Sequence, residues 1–180
     1  MPIEHTFLRT VLYATSSYAR SLKMSQSREL AFLVGRLNRT HVELMDLLVT
    51  VPDEALNWRP CPGANSICAI VTHILGSEQY WIGTLAGRTG YVRDREAEFR
   101  ALGTDAGVLV EEVRRVNVEC TNILTKLDSA TLDRMVSTTS GRRDLRYCIN
   151  HAINHTLLHF GHLEITLQVW RHLLSQAQVR

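Results

Sequence analysis

The chain has 180 residues, 45% of them hydrophobic, with 20 Lys plus Arg against 18 Asp plus Glu. A single domain of this size buries a core without disulfide or metal staples, so any metal is expected to serve function rather than folding. Scattered, nearly balanced charge excludes a nucleic-acid footprint, and no apolar run approaches the ~20 residues of a membrane span.

The N-terminus has neither a sustained hydrophobic segment nor a clear cleavage site. Together with four cysteines that form no C-x-x-C pair (Cys61, Cys68, Cys120 and Cys148), this reads as a soluble, cytoplasmic chain with reduced, buried thiols. Residues 1–26 are expected to be an N-terminal extension: 7–22 can form one more helix, while Met24 equally fits a natural start. The domain proper is expected over 27–180.

From Arg28 to Val49, Leu30, Leu33, Val34, Leu37, Leu44 and Leu48 recur at three- and four-residue steps, which predicts an amphipathic helix. Pro52, Pro60, Pro62 and Gly63 then predict a crossing loop. Asn65 and Ser66 can cap a second helix reaching Ala86, with Ile67, Ile70, Val71, Ile74, Trp81 and Leu85 on one face. The polar stretch GRTGYVRDREAEFRALG reads as a connection. Thr104 and Asp105 can cap a third helix ending near Asp128, and the last helix runs from Asp144 to about Gln176 with Leu145, Ile149, Ala152, Ile153, Phe160, Leu163 and Leu167 as its core stripe. No extended strand pattern or internal repeat appears, so the fold class is all-α, an antiparallel four-helix bundle.

The stretch HAINHTLLHFGH, residues 151–162, holds four of the eight histidines, and its apolar members Leu157, Leu158 and Phe160 also suggest core contact. His151, His155 and His159 are four apart and His162 follows three later, so a helix presents them in one stripe. Neighbours at i and i+4 can share a cation. In bundles a further ligand comes from a facing helix, and His73, flanking the apolar face of the second helix, is the candidate. Three imidazoles would leave open positions, as in a catalytic zinc site. A helical H-x-x-x-H pair equally fits edge-of-core histidines bonded to backbone or water, the reading given to His5, His41 and His172. His151 and His162 fit either a ligand or an outer partner that orients one. Neither Glu-x-x-His nor H-E-x-x-H occurs. Glu78, roughly 140° around the helix from His73, reads as a surface or interface salt-bridge residue.

WRPCPGANSICAIVTHILGSEQYWIGTLAGR followed by INHTLLHFGHLEITLQVW resembles the DinB-like family of four-helix bundles. The resemblance implies that His73, within VTHILGSE, and the pair His155 and His159 are metal ligands for a divalent ion, zinc or nickel. Many members carry Gln where this chain has His162, so that position is expected either in an outer role or as a fourth nitrogen. The resemblance also implies a homodimer and an enzyme transferring a low-molecular-weight thiol to an electrophile. Hydrolysis by a metal-activated water and a non-catalytic metal-binding module remain the alternatives.

Overall fold

The computed structural model describes residues 28–178, so the expected N-terminal extension and its helix lie outside the described residues. Helix α1 covers residues 28–48, α2 Ile67–Glu78, α3 Arg95–Arg100, α4 Ala106–Leu124 and α5 Leu145–Gln178. Strands β1 (Met135–Thr138) and β2 (Gly141–Asp144) form an antiparallel hairpin in the connection before α5.

Helices α1, α2, α4 and α5 make the expected antiparallel four-helix bundle, and their side-chain pairs fix its direction pattern. Glu29 meets Arg146, Arg36 meets Asn150 and Asn154, and Thr50 meets Arg171, so α1 and α5 run the same way. Asn38 meets Thr121 and His41 meets Asn117, so α4 runs oppositely to α1. The sequential pairs α1–α2 and α4–α5 are hairpins, whereas α2 and α4 point alike. A segment that must return the full length of the bundle explains the long connection between them, which carries α3.

The caps follow local chemistry. The Ser66 hydroxyl accepts from the Ala69 amide, Asp105 from Gly107 and Asp144 from Tyr147, each satisfying an otherwise orphaned first-turn donor. Leu37, Leu44, Ile74, Val113, Cys120, Ile149, Ile153 and Leu163 lie in one core with no exposed surface. Where α2 was expected to continue regularly to Ala86, Gln79–Thr84 instead form a π-helical turn, with Leu85 N–H bonded to Tyr80 O and Gly87 N–H to Ile82 O. Such turns re-aim side chains relative to the preceding helix.

Three further expectations are corrected. Leu157 and Leu158 are exposed, because the core stripe of α5 passes through Ala152, Ile153, Thr156 and Leu163, while Phe160 is half-buried and packs against the core as expected. Cys61 is exposed in the Pro-Gly loop, although Cys68, Cys120 and Cys148 are buried free thiols. Glu78 is no surface residue: it is fully buried, facing the bundle interior from α2.

The Glu78 carboxylate lies 2.7 Å from His41 Nε2 and accepts a 2.7 Å hydrogen bond from the Thr156 hydroxyl, while His41 Nδ1 lies 2.7 Å from Asn117 Oδ1. Four helices thus converge on one satisfied polar network. Burial pushes the His41 imidazole down, but the Glu78 charge and the hydrogen bonds that the imidazole donates to Glu78 and Asn117 outweigh it and raise its pKa. Removing one partner of such a pair strands the other in the core. Glu78→Leu should therefore cost about 3–5 kcal/mol in urea unfolding, and the double variant His41→Leu/Glu78→Leu should recover part of that loss.

Candidate metal centre

Helices α2 and α5 pack against each other, which brings His73 on the first against His155 and His159 on the second. Ring centroids are 4.9 Å apart for His73–His155, 4.9 Å for His73–His159 and 4.4 Å for His155–His159. One ring nitrogen from each lies within 4.8 Å of the others. His73 Nε2 and His155 Nε2 are 3.1 Å apart. Two nitrogens bound at ~2.0–2.1 Å to a tetrahedral ion would stand ~3.3 Å apart, so this pair already has the spacing of two ligands.

The tautomer of His73 is set by a residue that the sequence did not point to. Glu98, on α3, accepts from His73 Nδ1 at 2.8 Å and is clamped by Arg93, whose Nε is 2.7 Å from Oε1 and whose Nη2 is 2.9 Å from Oε2. Burial pulls the Glu98 carboxyl up, but the hydrogen bonds from His73 and Arg93 outweigh it and hold its pKa below the ordinary value. An ionised carboxylate only accepts, so His73 Nδ1 carries a proton and Nε2 is the nitrogen that faces His155. Asp94 caps α3 by accepting from Ala97, and this D-R-E-A-E start was a legible helix signal inside the presumed connection. Nothing in the spacing tied residue 98 to residue 73.

Glycine makes the approach of Glu98 possible. A Cβ on Gly76 would collide with Oε1 of Glu98, whose carboxylate is tethered by both Arg93 and His73 and cannot simply swing away. A mid-helix glycine costs α2 up to ~1 kcal/mol, and in return α3 can lie close enough to reach His73.

The outer histidines separate clearly. His162 is exposed, and its Nδ1 lies 3.2 Å from His159 Nδ1, so it partners the outer nitrogen of His159 and leaves Nε2 open. His151 lies outside the cluster, its ring 4.4 Å from Trp81 and stacked at 5.9 Å on Tyr147, where it forms cavity wall. His41 belongs to the buried network, and His172 is exposed. His5 is outside the described residues.

The donor set fits a divalent cation. Burial first, then the neighbouring histidines, pull His155 down to about 3 and His159 down to about 4, so both rings are neutral near pH 7 and offer lone pairs. His155 Nδ1 is buried with no hydrogen-bond partner among the described residues. The cluster opens onto a cavity of about 580 Å³ lined from α2, α5, the segment Tyr91–Arg95 and Thr139 at the hairpin tip.

A helical bundle that brings three histidines together in this way is a fold able to hold a metal ion. A family model described as the DinB superfamily matches residues 36–163, and the chain belongs to that superfamily. Its fold is similar to that of a DinB-like protein from Bacillus cereus ATCC 10987 (TM-score 0.65, 14% identity, 76% of this chain and 89% of that one covered). It is also similar to the DinB-like protein YjoA from Bacillus subtilis (TM-score 0.60, 19% identity, 76% and 89% covered). No curated protein matches the sequence. Among the described residues, no helix is long and apolar enough to cross a membrane.

Two outcomes follow from the geometry. Glu98→Gln and Gly76→Ala should each weaken zinc binding about 10–100-fold, the first by removing the charge behind His73 and the second by displacing it, as read by competition with a chromophoric chelator. The metal-free protein should lose stability as pH falls from about 6.5 towards 4, because the unfolded chain then binds protons that His155 and His159 refuse. His41 acts in the opposite sense, its contribution being fully present below about pH 6.5 and fading only as pH rises through its raised value, so it does not offset the acid-side loss. Urea midpoints at pH 7 and pH 5 measure this.

Proposed function

We propose that residues 27–180 form a metal-dependent transferase domain in which His73, His155 and His159 hold a divalent ion, zinc or nickel, and a low-molecular-weight thiol is joined to an electrophile. The observation that carries the reading is the convergence of three imidazoles, two of which, His73 and His155, line a ligand-sized cavity. A divalent ion held there would lower the pKa of a thiol and favour the thiolate, the attacking form. The protein's part is positional: Glu98 and Arg93 fix His73, His162 partners His159, and Trp81 with His151 forms part of the cavity wall. Among the described residues no carboxylate lines the cavity, which favours thiol transfer over a hydrolysis that draws on an acidic-residue base.

The same reading includes a cytoplasmic homodimer. Exposed apolar residues along α5, Leu158, Ile165 and Leu173 among them, supply a surface for a second copy, and light scattering should return twice the chain mass.

Metal content after dialysis tests the ligand set. Ala at His73, His155 or His159 should empty the site, His151→Ala should leave it filled, and His162→Ala should give an intermediate loss. Chelation should leave the helical circular dichroism largely intact, since the apolar core does not depend on the ion. The zinc-loaded protein should consume small thiols against electrophiles with saturable turnover that stops with chelator. Chelator-sensitive hydrolysis without thiol consumption would instead assign the alternative chemistry.

A further inference from the structure

Beside the three histidines, the cavity has a polar feature that the metal reading leaves unused. His73, Ser77 and Trp81 are four residues apart on one side of α2 and its π-helical continuation, and all three line the cavity. Ser77 is 1% exposed, and its hydroxyl has no hydrogen-bond partner among the described residues. A buried hydroxyl left unpaired is unfavourable, so this one is available to a polar group of a ligand.

The rest of the lining defines what could meet that hydroxyl. Tyr80, Trp81 and Tyr91 supply flat apolar surface, and no Asp or Glu is among the lining residues. Of the two lining arginines, Arg93 is neutralised by Glu98, with contacts of 2.7 and 2.9 Å. Arg95 forms no ion pair among the described residues; its guanidinium lies 4.9 Å over the Phe99 ring, which stacks at 4.5 Å on His73. It is a preoriented cation at the mouth, held by the same aromatic ring that backs the metal centre.

We infer that the cavity is a binding site for an organic anion with a planar apolar body: the body lies against Trp81 and Tyr91, a carboxylate meets Arg95 at the mouth, and a polar group deeper in bonds to the Ser77 hydroxyl. This names the substrate class of the proposed transferase and rests on that reading only for the reaction, because Ser77 and Arg95 are not part of the metal cluster. A planar anion of ten to fifteen heavy atoms fits about 580 Å³. Arginine is suited to the carboxylate because its planar fork can donate two parallel hydrogen bonds.

The test uses chelator-treated, metal-free protein, so that a carboxylate cannot bind through an ion, and compares 4-hydroxycinnamate with its neutral counterpart 4-hydroxycinnamyl alcohol by titration calorimetry at low salt. The carboxylate should bind about tenfold or more tightly than the alcohol, the preference expected of a charge-assisted hydrogen bond. Arg95→Gln, at an exposed position that does not threaten the fold, should abolish the preference and leave the alcohol's affinity unchanged. Ser77→Ala should weaken both probes severalfold while raising the melting temperature of the ligand-free protein, a pairing that a merely structural serine would not produce. Equal affinity for the two probes, no binding of either, a preference that survives Arg95→Gln, or a Ser77→Ala variant that binds as before would each overturn the inference. Metal content is measured on the same preparations before chelation, so failure of the metal reading shows separately as protein that never held an ion.

Discussion

The hydrogen bond between His73 and Glu98 organises the rest of the candidate site. It ties α3 to α2 and so gives the long connection a fixed path across the bundle. It settles which nitrogen of His73 faces the other histidines, and it places Arg93, Arg95 and Tyr91 around the mouth of the cavity. The bond is strong because Arg93 holds the acceptor ionised through both of its oxygens, and it is possible only because Gly76 leaves a slot in the helix wall.

The bundle beneath it is held by different means. Its helices close on an apolar core, while the Glu78–His41 pair, with Thr156 and Asn117, links all four at one buried point. Two carboxylates on neighbouring elements thus serve opposite purposes. Glu78 faces inward and has every partner it needs from the core, whereas Glu98 sits behind a histidine whose other nitrogen faces His155. Buried pairing of the first kind favours one register of four helices over others; pairing of the second kind prepares a lone pair for a ligand.

Much of this was legible in the sequence because it depends on spacing within single helices. The apolar steps of α1, α4 and α5 placed the core, the Ser66 and Asp105 caps placed helix starts, and the run of histidines at four-residue steps marked a stripe on α5. His73 was reachable because it flanks an apolar face of known phase. Glu98 was not, since its role depends on how a short helix inside a charged connection folds back over α2, and no periodicity encodes that distance. Glu78 misled for a related reason: an angle around one helix says which way a side chain leaves it, but not whether another helix waits there with a histidine. The hairpin was missed because strands of four residues are too short for alternation to declare itself.

The walls of the cavity have two origins. Its floor, with His73, Ser77, Trp81, His151 and His155, comes from helices whose opposite faces are locked into the core. Its rim, with Tyr91, Val92, Arg95 and Thr139, comes from connections that contribute little to that core. Substitutions at the rim can change the shape and charge presented to an incoming molecule without disturbing the histidines, whereas substitutions at the floor disturb both at once. The architecture therefore keeps selectivity and chemistry on separately adjustable parts of one chain, so that relatives with the same centre can diverge in what they admit to it.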